Sequence, residues 1–356
     1  MDLATLYEAL GVPEEAGPAE LLFAARQQHY TLPYLVLSAV ARHGVEMSDA
    51  ARGELDRARR RAERYESILA EVSAQVPVRP VKGPLLARYY PDGLLRPQGD
   101  LDLLVDNERD LWQVVRLLLA DEPLYLGVSV LGAPTRHVVV TMTWTPEDPL
   151  LDPELRVEVA TAALTGDYRG VPIRPALPDD VLVANLLALG EERFQRPFHA
   201  RDAIDTHVLG QAQPQLSTAQ LVAAVEEYRL APEVRELVAF TAERVPPGAL
   251  SGLGEALEAP AARELERRAA HPGPARPTGE VTAAVADGSP LYGMPLRRVA
   301  GRTGWDGVRT HLFGDNALLL TPVGDYLLVT DEIVDQERYD AALRELELDR
   351  LPEETP

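Results

Sequence analysis

The sequence predicts an α+β fold in which a small core of alternating strands and helices is flanked by helical regions. Three observations support this. Apolar residues recur at helical spacing through much of the first 75 residues. Strand-like and helix-like segments then alternate between about 76 and 160. Helical patterns return between about 177 and 270, and short apolar runs separated by turns follow.

These patterns divide the chain into five consecutive segments. We predict an N-terminal helical region (1–75), a core of strands and helices (76–176), a helical domain (177–270), a linker (271–288) and a small C-terminal α+β domain (289–356). The linker is clearest in His271–Gly279, which is rich in proline and glycine.

A long helix is predicted from Ala50 to about Ser73, with Ser48-Asp49 as its N-cap. Apolar residues between Leu55 and Val72 form one face of it. Its other face carries Arg57, Arg59, Arg60, Arg61 and Arg64. Such a face is usually solvated, and attraction of a phosphorylated substrate is the alternative.

The core and the C-terminal segment contain the predicted strands. Prolines in 76–83 indicate an edge strand, and Pro84 opens a short helix that extends to Tyr90. The further strands are predicted around Asp100–Val105, His137–Trp144, Arg156–Ala160, Val308–Phe313, Ala317–Thr321 and Tyr326–Val329, and the further helices at Glu108–Leu119 and from Gln336 to about Leu346.

The stretch Arg96-Pro-Gln-Gly-Asp100-Leu-Asp102-Leu-Leu-Val105 sets two carboxylates one residue apart on a predicted strand. Side chains at alternate strand positions share a face, so Asp100 and Asp102 are expected to converge while the aliphatic residues pack on the other face. Two converging carboxylates suit a hard divalent cation such as Mg²⁺.

Further candidates lie on either side of this strand. A turn at Lys82-Gly83 would let backbone amides and an ammonium approach a phosphate, although Lys82 as an exposed strand end is the alternative. Arg96 is expected to bind phosphate or to pair with Asp92 or Asp100. These residues predict metal-assisted phosphoryl or nucleotidyl transfer.

Glu158 on a neighbouring strand is the candidate for a third carboxylate, which would bind the metal and orient or deprotonate an acceptor hydroxyl. Glu154 and Asp152 are nearby alternatives. Strand parity favours Glu158, because Val157 and Val159 would then face the core.

The composition and net charge of the chain limit the kinds of partner that we expect it to bind. The chain of 356 residues has 56 acidic and 35 basic residues and a formal charge of −21, which disfavours nucleic acid and anionic membranes. It has no cysteine, and neither a signal peptide nor a membrane span is recognisable. A cytoplasmic protein without a membrane partner is therefore expected.

The core motifs resemble a known family. Val81-Lys82-Gly83-Pro-Leu-Leu86, Tyr89-Tyr90-Pro91-Asp92 and the run from Arg96 to Val105 are similar to the uncharacterised nucleotidyltransferase family 5 of the DNA polymerase β superfamily. Arg201-Asp202-Ala-Ile-Asp205 matches an Arg-x-x-x-Asp signature of that family, although an i, i+4 ion pair is the economical interpretation. The resemblance extends over about residues 20–245.

The resemblance implies a polymerase β-like nucleotidyltransferase core that uses Mg²⁺ and a nucleoside triphosphate. Asp100 and Asp102 correspond to its metal-binding pair and Gly83 to its phosphate-loop glycine. The expected reaction moves a nucleoside monophosphate to a hydroxyl of a small molecule, peptide or protein. The alternative is a catalytically degenerate module that binds nucleotide or a protein partner, since Pro84 replaces the usual Ser or Gly after the loop glycine and Ala160 replaces a frequent histidine.

Overall fold

The computed structural model describes residues 1–168, 170–212, 217–271, 281–299, 302–330 and 334–348, in which the chain forms fourteen α-helices and nine β-strands. The helices are α1 (Leu3–Leu10), α2 (Gly17–Gln28), α3 (Leu32–Arg42), α4 (Asp49–Ser73), α5 (Gly83–Ala87), α6 (Glu108–Leu118), α7 (Val181–Glu191), α8 (Ala200–Gln211), α9 (Thr218–Glu227), α10 (Ala231–Ala242), α11 (Leu253–Ala256), α12 (Glu258–Ala270), α13 (Val281–Asp287) and α14 (Gln336–Leu348). The strands are β1 (Arg79–Val81), β2 (Leu101–Leu104), β3 (Tyr125–Leu131), β4 (His137–Trp144), β5 (Leu155–Ala160), β6 (Leu291–Arg298), β7 (Arg309–Phe313), β8 (Asn316–Leu320) and β9 (Gly324–Val329).

The chain divides into two compact units that do not follow the order of the sequence. Unit 1 comprises Met1–Glu71, Pro80–Asp102 and Leu164–Pro272, and unit 2 comprises Val72–Arg79, Leu103–Ala163 and Gly273–Pro356. The five consecutive segments remain a prediction, because each unit combines pieces of several of them.

Unit 1 is mainly helical. An apolar cluster joins α1, α2, α3 and α8 through the fully or almost fully buried side chains of Leu6, Leu21, Leu35, Ile204 and Val208. Helix α7 is buried from Leu182 to Glu191, as its mainly apolar sequence requires, and it packs against α8 and α10. This unit carries the aspartate pair and the residues directly before it.

Unit 2 contains most of the sheet, in which the strand order is β1-β2-β5-β4-β3-β6-β9-β8-β7. Parts of β1 and β2 belong to unit 1. The ladders from β5 to β7 are antiparallel. Val138, Val140 and Met142 alternate with less buried residues along β4, and α6 packs against β4 and β5. Near the edge of the sheet formed by β7, helix α14 packs against β8.

The mixture of helices and strands that the sequence predicts is confirmed, whereas the polymerase β-like arrangement of the core remains a prediction. The predicted long helix, the two strands after the aspartate pair and the three C-terminal strands are present. Strands β3 and β6 were not predicted. Gly293 and Pro295 within β6 argue against a strand, and a register irregularity between Pro295 and Arg297 accommodates them.

The predicted linker overlaps described and undescribed residues. Residues 272–280 of it lie outside the described part of the chain. Val281–Asp287, also within the predicted linker, forms helix α13, and its Val281 and Ala284 are fully buried.

Candidate active site

The aspartate pair lies at the start of strand β2, and its side chains alternate with buried leucines as the sequence predicts. Leu101 and Leu103 are buried, whereas Asp100, directly before the strand, and Asp102, its second residue, are half-buried. Side chains at alternate strand positions project to one side, so the two carboxylates share a face opposite the leucines.

Helix α4 holds the backbone just before the pair. Arg61 Nη2 and the Tyr65 hydroxyl donate hydrogen bonds of 2.9 and 2.8 Å to the carbonyl oxygen of Gly99. Gln98 Nε2 donates one of 2.9 Å to the carbonyl oxygen of Asp100. Arg61 is buried, so the expectation of a solvated arginine face is wrong at this position, where the arginine lies on the apolar stripe of the helix.

Arg96 forms a buried ion pair with Asp205 of α8. Its Nε and Nη2 donate to Asp205 Oδ1 and Oδ2 at 3.1 and 2.9 Å, and the Tyr90 hydroxyl donates to Oδ1 at 2.6 Å. Burial alone would lower the pKa of Arg96, but the carboxylate of Asp205 outweighs burial and the pKa is raised.

This pairing corrects two interpretations of the sequence. The partner of Arg96 is Asp205 and neither Asp92 nor Asp100, and Asp205 does not pair with Arg201 one turn earlier in α8. Asp205 accepts two hydrogen bonds from the guanidinium of Arg96. This bidentate geometry favours Arg96 over Arg201, although Arg201 is much closer to Asp205 in the sequence. The ion pair with Asp205 occupies the guanidinium of Arg96. A role of Arg96 in binding phosphate remains a prediction.

The Lys82-Gly83 turn lies between β1 and α5. Lys82 has a φ of 52° and a ψ of −110°, a conformation that costs a residue with a side chain on the order of 1–3 kcal/mol. Gly83 has a φ of 30°, and a Cβ at Gly83 would lie 3.3 Å from Nε2 of Gln98. The turn is therefore close to the residue that binds the backbone of Asp100.

Lys82 is largely buried and paired with Glu192. Its Nζ donates a hydrogen bond to Glu192 Oε1, and 18% of the Lys82 side chain remains exposed. Burial alone would lower the pKa of Lys82, but the charges of Glu192, Asp102 and Asp100 outweigh it and the pKa is raised. The ammonium therefore lies within electrostatic reach of both carboxylates of the pair, which disfavours the interpretation of an exposed strand end.

Glu158 lies on β5 in unit 2, whereas Asp100 and Asp102 belong to unit 1. Its Oε2 accepts hydrogen bonds of 3.2 Å from the Thr141 hydroxyl and 3.1 Å from Arg156 Nη2. Val157 and Val159 are fully buried, as strand parity predicts. The contribution of Glu158 to a carboxylate triad remains a prediction.

The chemistry of the aspartate pair fits Mg²⁺ shared with a substrate. Among the residues that the structure describes, no group of three or more His, Asp or Glu side chains is placed to hold a metal ion. Mg²⁺, however, is commonly bound by one or two carboxylates together with water and substrate phosphates. Asp100 and Asp102 would supply those two carboxylates.

Sequence reasoning missed the supporting roles of four residues, of which Asp205 was noted only as part of the Arg201–Asp205 signature. Glu192 and Asp205 bind the two candidate phosphate ligands Lys82 and Arg96, and Arg61 and Tyr65 hold the carbonyl of Gly99. The helical spacing of Arg61 and Tyr65 with the apolar stripe was a usable signal. No sequence signal singled out Glu192.

A strand pair of carboxylates near a lysine is the arrangement expected for metal-assisted phosphoryl or nucleotidyl transfer. Residues 18–246 match a family described as an uncharacterised nucleotidyltransferase, so the chain belongs to this family, as its motifs predict. Comparisons with curated proteins and with solved structures gave no match. Within the described ranges, no helix is both long and apolar enough to cross a membrane.

Proposed function

We propose that the protein is a Mg²⁺-dependent nucleotidyltransferase that moves a nucleoside monophosphate from a nucleoside triphosphate to an acceptor hydroxyl. The proposal is supported by the alternation of Asp100 and Asp102 with buried leucines at β2, in a chain whose residues 18–246 match a nucleotidyltransferase family. The Lys82 ammonium adds to this support, because the charges of Asp102 and Asp100 contribute to its raised pKa. Two carboxylates and one ammonium match a metal–triphosphate complex, in which the cation and the phosphates need ligands of opposite charge.

In the proposed reaction each candidate site residue has a distinct role. Asp100 and Asp102 hold Mg²⁺, and Lys82 contacts a phosphate next to the close backbone approach at Gly83. Arg96 fixes the chain before the aspartates through Asp205. Glu158 is the candidate that orients or deprotonates the acceptor hydroxyl.

The acceptor is proposed to be a small molecule, a peptide or a protein. The net charge of −21 repels the phosphate backbone of a nucleic acid at long range. A hydroxyl on a compact or uncharged acceptor avoids this repulsion.

A second candidate is a module of the same family that binds a nucleotide or a partner without turnover. The hydrogen bonds of Glu158 favour this second candidate. The Glu158 carboxylate, which is the candidate catalytic base, already accepts hydrogen bonds from Arg156 and Thr141. A catalytic base has to be accessible to the proton that it abstracts.

Asp100→Asn/Asp102→Asn is expected to abolish Mg²⁺-dependent nucleotide binding, because the amides keep the shape of the carboxylates and remove their charge. Binding is measured by isothermal titration with each nucleoside triphosphate, with and without Mg²⁺. The control is Asp106→Asn, which removes the charge of an exposed aspartate just beyond β2.

Turnover is measured as pyrophosphate release and as a mass gain of one nucleoside monophosphate on pooled hydroxyl-bearing acceptors. Aspartate-dependent turnover supports the transferase, and aspartate-dependent binding without turnover on any acceptor favours the binding module. Equal Mg²⁺–nucleotide binding by the wild type and the double variant would contradict both.

A further inference from the structure

Arg201 lies in the first turn of α8 and makes no hydrogen bond or ion pair with any residue that the structure describes. The residue is half-buried, and its Nε is buried without a hydrogen-bond partner in the described part of the chain. A buried N–H group normally has a hydrogen-bond partner, so the Nε of this arginine is an exception.

The neighbouring carboxylates are paired with other cations. Glu192 pairs with Lys82 and lies 3.2 Å from Arg196, and Asp202 accepts hydrogen bonds of 2.7 and 3.0 Å from Arg196. Asp205 pairs with Arg96. Arg201 forms no ion pair with any of these three carboxylates.

Two imidazole rings lie beside this charge. The rings of His29 and His199 are 4.9 Å apart. Burial, followed by the charge of Arg201, lowers the pKa of His29 to about 3, and burial lowers the pKa of His199. Both rings are thus neutral at pH 7, and each then has one N–H donor.

The hydrogen bonds of His29 fix its tautomer. The backbone N–H of Thr31 donates to His29 Nδ1 at 3.2 Å, and the Thr31 hydroxyl lies 2.8 Å from the same nitrogen. Nδ1 is therefore an acceptor and the proton is on Nε2. His199 Nδ1 lies 3.3 Å from Asp202 Oδ2, and neither ring nitrogen of His199 forms a hydrogen bond with a described residue.

The position of Arg201 in its helix carries an electrostatic cost. The N-terminal end of a helix carries a partial positive charge, so a cation in the first turn is unfavourable. Arg201 occupies the second position of α8, a helix of 12 residues. A guanidinium without an ion pair, placed where the helix dipole opposes it, is explained if an anion binds there.

We propose that Arg201, His199 and His29 form a subsite for a phosphate group. The guanidinium offers up to five N–H donors and the imidazoles add two, which suits a phosphate with three or four acceptor oxygens better than a carboxylate with two. The phosphate comes either from the nucleotide or from a phosphorylated acceptor. The subsite does not depend on the proposed transfer reaction.

The test uses the full-length protein with EDTA, so that the subsite is probed without a metal ion. Inorganic phosphate and pyrophosphate are titrated by thermal shift and calorimetry against sodium chloride of equal ionic strength. The variants are Arg201→Gln and, as a matched control, Arg235→Gln on the exposed face of α10.

Wild type and Arg235→Gln are expected to be stabilised by phosphate beyond the chloride control. Arg201→Gln is expected to bind it at least about tenfold more weakly, because a charged hydrogen-bond donor is lost. Its melting temperature without phosphate should equal or exceed that of the wild type, which separates lost binding from misfolding. Phosphate binding by Arg201→Gln equal to that of the wild type, or no phosphate effect on the wild type, would overturn the proposal.

Two further probes identify the source of the phosphate. Competition of ATP, but not adenosine, with inorganic phosphate assigns the subsite to the nucleotide. Additive stabilisation by ATP and O-phosphoserine assigns it to a phosphorylated acceptor. Asp100→Asn/Asp102→Asn is expected to retain phosphate binding, so a failure of the transferase proposal is distinguishable from a failure of the subsite.

Discussion

Asp205→Ala is expected to lower the free energy of unfolding by about 3–5 kcal/mol, because it leaves a buried cation without its counter-charge. Asp205 is completely buried, and only 6% of the Arg96 side chain is exposed. The substitution removes both hydrogen bonds to Arg96 and the one from the Tyr90 hydroxyl. Urea denaturation followed by far-UV circular dichroism measures the loss.

The matched control is Asp56→Ala, which breaks an ion pair with Arg59 on the surface of α4. That pair has an N–O distance of 3.2 Å, and about half of each side chain is exposed. Solvent screening limits such a pair to about 0–1 kcal/mol. A loss for Asp205→Ala no larger than that of the control would show that Arg96 is not held as the structure indicates.

Asp205 also connects stability to the site. The residues from Arg96 to Asp100 are held by Asp205 at one end and by Arg61 and Tyr65 at the other. A side chain that binds a ligand has to be held close to its productive geometry before the ligand arrives. The helices of unit 1 therefore serve the aspartate pair by fixing the chain that leads into β2.

Elements with a strong local period could be predicted from the sequence, and elements without one could not. In α4 the buried positions Leu55, Ala58, Tyr65, Ile68 and Val72 recur at intervals of three, four and seven residues, which is a local property of the chain. In β6 the glycine and proline remove the local preference, and pairing with β3 and β9 decides the structure instead.

The same distinction applies to the candidate site. The aspartate pair is visible because its two members are two residues apart on a strand. The partners of Lys82 and Arg96 are not visible, because Glu192 and Asp205 follow them by 110 and 109 residues. Charge alone does not select a partner over such a separation among the 56 acidic residues of the chain.

Lys82→Gln is expected to weaken Mg²⁺–nucleotide binding and to destabilise the protein at neutral pH. Burial alone would raise the pKa of Glu192, but the Lys82 ammonium outweighs burial and lowers it from the ordinary value of 4.5 to about 2. A fall of this size corresponds to roughly 3 kcal/mol of stability. Since Arg196 also lies beside Glu192, the substitution should remove a large part of that amount and not all of it.

The pH dependence has a definite sign. A carboxylate whose pKa is lower in the folded state contributes its full stability above its unfolded pKa, and it loses this contribution as the pH falls through the folded value. The contribution of Glu192 should therefore decline between about pH 4.5 and pH 2 in the wild type. In Lys82→Gln the pKa of Glu192 in the folded state lies closer to its unfolded value, so the loss should be smaller and should be complete at a higher pH, which acid titration at a fixed urea concentration detects.

Lys82→Gln/Glu192→Gln separates the structural role of the lysine from its role in binding. The two amides can form a hydrogen bond with each other, and neither leaves an uncompensated buried charge, so most of the lost stability should return. Binding of the Mg²⁺–nucleotide complex should stay weak, because the ammonium that would contact a phosphate is still absent. If the double variant binds the nucleotide as tightly as the wild type, Lys82 serves only to hold Glu192 and is not a phosphate ligand.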